Sequence, residues 1–163
     1  METVIPHIRR LTGQAEAEFC ARLRASTEPW VTLKRDYESG LKAILDVERE
    51  TYVAEVEGAV AGFLILNMHG GFVGYIQTVC VVQEYRSHGI GSRLVAFAEE
   101  RIFRESPNVF ICVSSFNPQA RQLYERLGYK LVGELTDYVI PGCSEIMLRK
   151  TIGPLSEFHP KEP

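Results

Sequence analysis

The segment Arg86-Ser87-His88-Gly89-Ile90-Gly91 is where residue types and spacing could do chemistry. Its two glycines fall where an extended run gives way to a helical one, so backbone amides there can approach a ligand with no Cβ in the way. Amides that open a helix have no intrahelical acceptor and sit at the positive end of the helix dipole, which predicts an anion site, with phosphate the usual occupant. Arg86 and His88 set basic side chains beside those amides. The spacing is not that of a P-loop, because no Lys-Ser/Thr pair follows the glycines. It is not a dinucleotide fingerprint either, because there is no third glycine and no ribose-binding acid.

Positioning this turn requires a strand before it and a helix after it. Residues 75–82 are an apolar, β-branched run, and Leu94, Val95, Ala98 and Ile102 recur at helical spacing up to about residue 105, ahead of Pro107. Upstream, residues 4–9 read as a first strand. Thr12 reads as the N-cap of a helix over 12–26 with Ala15, Phe19 and Leu23 on its inner face, and Thr32 as the cap of a second helix ending near Asp46. Strands over 51–56 and 60–68 meet at Glu57-Gly58, and with 75–82 they form an antiparallel meander. Downstream, 109–113 is a buried strand. Asn117-Pro118 starts a helix through Leu127 that stops at Gly128, and 129–139 and 143–150 are a final strand pair.

Composition bounds the rest. A chain of 163 residues with 45% apolar and 24% charged residues fits one globular domain, read as 1–152 with a loosely held tail at 153–163. A net charge of −3 gathers no nucleic acid. Cys20, Cys80, Cys112 and Cys143 are scattered and lie near no histidine cluster, which predicts reduced thiols, no metal site and a cytoplasmic location. No run is apolar or long enough for a membrane span or leader, so no membrane partner is expected.

The pattern Arg-x-x-Gly-x-Gly after a strand ending Val-x-Val resembles the pyrophosphate loop of the GNAT acyltransferase superfamily. The run from Asn117 to Tyr129, which fits Asn-x-x-Ala-x-x-x-Tyr-x-x-x-Gly-Tyr, resembles that superfamily's second hallmark. The two together carry the resemblance over residues 3–150. It implies an α/β (α+β) GNAT acyltransferase fold: a twisted mixed sheet of about seven strands, splayed between the fourth and fifth and flanked by about four helices. It also implies acetyl-CoA as co-substrate. Its pantetheine arm would pair with the open backbone of Val79, Cys80 and Val81, and its diphosphate would lie on Arg86 and the amides of Ser87, His88, Gly89, Ile90, Gly91 and Ser92. Asn117 would contact the cofactor, and Tyr124 would stand near the thioester sulfur as general acid. Tyr75 and Tyr138 are candidate substrate contacts, Trp30 beside Pro29 reads either as a packing lid over the helix-helix turn or as a third such contact, and a homodimer is within the family's habits.

The implied chemistry is acetyl transfer to a primary amine, by direct attack in a ternary complex. The two places where relatives carry a glutamate base are here Cys112 and, near the start of the fourth strand, Tyr75, so Glu145, Tyr138 or a water chain is left to take the proton. At pH 7 an α-amine is about 14% neutral, whereas a lysine amine is neutral in roughly one molecule in 2,500. A site without a strong base therefore suits an α-amine, such as a protein N-terminus, or a small low-pKa amine. The competing reading is a non-catalytic acyl-CoA sensor that keeps the cofactor site alone.

Overall fold

The computed structural model describes residues 3–162. The elements are β1 His7–Arg10, α1 Gly13–Ala25, α2 Tyr37–Leu45, β2 Arg49–Val56, β3 Ala59–Asn67, β4 Tyr75–Val81, α3 Ile90–Ile102, β5 Asn108–Ser114, α4 Pro118–Arg126, β6 Lys130–Leu135 and β7 Glu145–Thr151. Among the described residues no helix is long and apolar enough to cross a membrane. The strands form one mixed sheet of seven in the order β1-β2-β3-β4-β5-β7-β6, and β4-β5 is its parallel pair.

Period-two alternation divides the sheet into two faces, each with its own core. Leu64 and Leu66 of β3 join Leu94, Ala98 and Ile102 of α3 on one face, while Phe63 and Ile65 join Ala17, Cys20 and Ala21 of α1 on the other. The β2-β3 hairpin closes on Glu57 and Gly58, both at positive φ (50° and 81°), which gives the tight turn expected at that dipeptide.

The join between β4 and β5 differs from every other. Register pairs exist only at Tyr75↔Phe110 and Ile76↔Ile111, after which the strands part. On the β3 side of β4 the ladder continues to Val81 but skips Gln77, so a bulge sits where the parting begins. Because one extra residue reverses the side-chain alternation, Ile76 points into the α3 core whereas Thr78 and Cys80 point to the α1 face.

The sequence reading departs from the structure in three places. Helix α2 is capped by Asp36, whose carboxylate accepts from the Ser39 amide at 2.9 Å, and not by Thr32; residues 29–34 are turns. The inner face of α1 is Ala17, Cys20, Ala21 and Arg24, while Phe19 is exposed. Small residues win that face because α2 packs close, with Gly40 against the Ala21 backbone. Strand β6 stops at Leu135, where Asp137 takes φ 52° and its carboxylate accepts from the Gly142 amide at 2.7 Å, closing a loop in place of the expected strand end. The tail, expected to be mobile or loosely docked, is mostly exposed and touches the body at the Lys161 amide, which donates to the Arg104 carbonyl at 2.9 Å. Residues 1, 2 and 163 of the expected domain and tail lie outside the described residues.

Gly74 starts β4 at φ 90°, with its carbonyl accepting from the Phe110 amide at 2.9 Å. A Cβ there would collide with Cγ2 of Ile102 and stand 2.5 Å from the Asn108 carbonyl oxygen. Gly74→Ala therefore combines a disfavoured backbone with overpacking, and urea unfolding should show a loss of about 2–5 kcal/mol.

Candidate active site

The parting of β4 from β5 opens a cavity of about 590 Å³. Its walls come from both faces of the sheet. Leu123 and Tyr124 of α4 line it from the α3 side, and Arg24, Trp30 and Leu33 from the α1 side. Strand alternation places Tyr75, Thr78, Cys112, Ser114 and Glu145 on the α1 face as well, since Ile76, Ile111, Val113 and Ile146 between them belong to the opposite core.

The open edge of β4 supplies backbone groups. The Val82 amide donates to the Ala61 carbonyl at 2.8 Å, and antiparallel alternation then commits Cys80 and Thr78 to β3 and turns Val79 and Val81 toward the gap. Of the expected trio, Cys80 therefore offers no free backbone. Its thiol is buried in the α1-side core and pushed up to about 11, chiefly by desolvation.

The turn before α3 is built as the sequence predicts. Ser87 and Gly89 take positive φ (64° and 82°), and Gly89 is the N-cap. Among the described residues, none of the amides of residues 87–92 finds an acceptor; the first bonded amide is that of Arg93, to the Gly89 carbonyl. A row of unpaired donors at a helix start fits a diphosphate. Arg86 lines the cavity, and its Nε donates to the Val81 carbonyl at 3.2 Å. His88 turns back on its own loop, with Nδ1 2.8 Å from the Arg86 carbonyl, and Ile90 is buried core, so these two can offer only backbone and an outer ring edge.

Asn117 lines the cavity and caps α4 by accepting from the Ala120 amide at 3.2 Å, which leaves its side-chain NH₂ without a hydrogen-bond partner among the described residues. Tyr124 is 7% exposed, and its ring meets Tyr129 edge-on at 5.5 Å. Its hydroxyl has no partner among the described residues, and burial raises its pKa, so it stays protonated at neutral pH. Tyr75 stands beside the Cys112 thiol, and Tyr138 is exposed at the rim.

Of the candidates that the sequence left open for taking the proton, Glu145 is the one buried in the cavity wall. It is 6% exposed, and one oxygen accepts from the Ser114 hydroxyl at 2.8 Å. Desolvation raises its pKa, and the Ser114 hydrogen bond only partly opposes this. The register Ser114↔Glu145 places it beside β5, near the Cys112 position where a base was sought. Arg24 was missed by the sequence reading. It is 6% exposed, its Nε and Nη1 are buried without acceptors, and its guanidinium lies 5.5 Å from the centre of the Trp30 ring. Burial first, then the charges of Arg35 and Arg49, lower its pKa to about 10. Leaving buried donors unpaired costs about 1–3 kcal/mol each.

Comparison with known proteins agrees with this geometry. The model of the acetyltransferase (GNAT) family matches residues 16–129. An N-alpha-acetyltransferase of Sulfurisphaera tokodaii is 31% identical over 111 residues, covering 60% of this chain and 66% of its own length, so the match spans just under two thirds of that relative. The blasticidin-S acetyltransferase of Streptomyces morookaense is 31% identical over 102 residues, covering 63% of this chain and 74% of that protein. An aminoglycoside 6′-N-acetyltransferase complexed with coenzyme A superposes with a TM-score of 0.72 at 20% identity, over 91% of this chain and 98% of that one. With the family model covering most of its length, the chain belongs to the acetyltransferase (GNAT) family.

Proposed function

We propose that this protein is an acetyl-CoA-dependent N-acetyltransferase that moves the acetyl group to a primary amine by direct attack in a ternary complex. The observation that carries this reading is the cavity at the β4-β5 parting, with an unpartnered phenol on one face of the sheet and a buried carboxylate on the other. The supporting comparison is that one curated relative is named an N-alpha-acetyltransferase and another a blasticidin-S acetyltransferase.

Acetyl-CoA would supply the activated acetyl thioester. The amides of residues 87–92 fit its diphosphate, and the open edge at Val79 and Val81, where Arg86 already occupies the Val81 carbonyl, fits an amide-bearing arm as a short added strand would. A backbone amide of that edge can polarise the acetyl oxygen. The acceptor arrives from the α1 face, where Glu145 takes a proton from the attacking nitrogen. A carboxylate with a raised pKa is a better base near neutrality than an ordinary one. Tyr124, kept protonated by burial, gives its phenolic proton to the departing sulfur from the α3 side.

Calorimetry should detect acetyl-CoA binding, and an amine panel followed by free-thiol release should show turnover; binding without turnover on any amine would leave only a sensor. Tyr124→Phe should lower kcat by roughly 10²- to 10⁴-fold with acetyl-CoA affinity nearly unchanged. Unchanged kcat would remove the acid assignment.

Glu145 also makes a stability prediction. Its folded pKa lies above the ordinary value of 4.5, so both folded and unfolded chains hold the proton below that pH. As pH rises past 4.5 the unfolded chain ionises first, and stability falls until the folded group ionises too. Glu145→Gln removes that loss and keeps an acceptor for Ser114. Denaturation curves at pH 5 and pH 8 should show the variant gaining on the wild type at the higher pH, while its turnover falls.

A further inference from the structure

The α1 side of the cavity carries more positive charge than the chemistry described so far uses. Arg24, Arg35 and Arg49 all line it, together with the Trp30 ring. Arg49 has a carboxylate partner, Asp46, at 3.3 Å, whereas neither Arg24 nor Arg35 has a side-chain hydrogen bond or ion pair among the described residues. The nearest acids are engaged elsewhere: Glu28 receives the Thr32 hydroxyl at 2.9 Å, and Asp36 caps α2.

Arg24 is the decisive residue. It is buried on the inner face of α1, where Nη1 packs against Gly40 and the guanidinium plane meets Trp30. A guanidinium cannot shed its charge to escape this environment as a lysine can, and a fold does not keep a desolvated fork of donors without an acceptor at no cost. Further along the same face of β4, the Thr78 hydroxyl is also buried in the cavity wall without a partner. Both residues line the cavity with orphaned donors just beneath its wall, and a guanidinium stacked on an aromatic ring, with Nη2 the nitrogen left outside that buried set, is complementary to a planar anion.

We propose that the α1 end of this cavity is a carboxylate-binding subsite formed by Arg24 and Arg35 and backed by Trp30, and that the acceptor amine belongs to a molecule carrying a carboxylate. The inference rests on the acetyl-transfer reading for the word acceptor, but the subsite itself does not need it. A second ammonium group placed at that end would face the unpaired Arg24 and Arg35 and is disfavoured there. The carboxylate can come from a free α-amino acid or from an acidic residue next to a peptide N-terminus.

Trp30 is the single tryptophan, so its fluorescence reports on this subsite without any catalysis. The probes are N-acetylglycine, which has the carboxylate and no amine, and N-acetylglycinamide, which has neither charge. The expected result is saturable binding of the acid, roughly 10- to 100-fold tighter than the amide. That preference should vanish in Arg24→Met and weaken in Arg35→Gln, an exposed position where folding is not at stake. Equal response to acid and amide, or an acid preference intact in Arg24→Met, would overturn the subsite.

The second measurement is acetyl transfer to glycine against glycinamide and to Ala-Glu amide against Ala-Gln amide, in wild type and in Arg24→Met. Comparing the ratios between proteins cancels the differing amine pKa values. A preference confined to the first pair identifies free amino acids as the source, and one confined to the second identifies acidic N-termini. Transfer with no Arg24-dependent preference in either pair overturns the inference and leaves the activity standing; acid binding at Trp30 with no transfer to any amine does the reverse.

Discussion

Two backbone pairs are all that join β4 to β5, and the site exists because the ladder ends there. Gly74 lets the strands meet closely enough to begin pairing, and the bulge at Gln77 turns β4 away before pairing can continue. A fully zipped pair would satisfy the amides and carbonyls of Val79 and Val81 and close the passage between the two faces. The sheet instead leaves backbone groups open in its middle, where an ordinary protein would tolerate them only at an edge.

The bulge has a second effect, on direction. Because it reverses alternation along β4, Tyr75, Thr78 and Cys80 share the α1 face with Cys112, Ser114 and Glu145. The loop before α3 and the Tyr124 helix stand on the other side. One face thus gathers a basic carboxylate and cationic side chains, and the other gathers unpaired amides and a phenol. Burial sharpens this division, because desolvation pushes Glu145 toward the neutral form and keeps Tyr124 protonated, each in the direction its position can use.

Much of this was legible in the chain. The glycine turn, the Asn117-Pro118 start of α4, its Gly128 stop and the β2-β3-β4 meander are local features, and local chemistry sets them. What was not legible depends on contacts distant in sequence. Residues 15, 19 and 23 make an apolar stripe on α1, yet the buried face is Ala17, Cys20, Ala21 and Arg24, because a close-packed α2 selects small side chains. That single rotation hid Arg24, since a charged residue reads as solvent-facing until its helix is oriented. Glu145 was visible only as one candidate among several, because its burial beside Ser114 comes from a β5-β7 register that no local signal encodes. Cys80, chosen with its neighbours for an open backbone, was lost to strand parity.

Cys112 sets a sulfur nucleophile in the cavity wall, and the surroundings keep it disarmed. Burial and the nearby Glu145 charge both raise its pKa, outweighing the neighbouring Tyr75 hydroxyl. A thiol attacks as its anion, so this one stays inert at neutral pH. An electrophile admitted to the cavity would thus be spared capture by the wall of its own chamber.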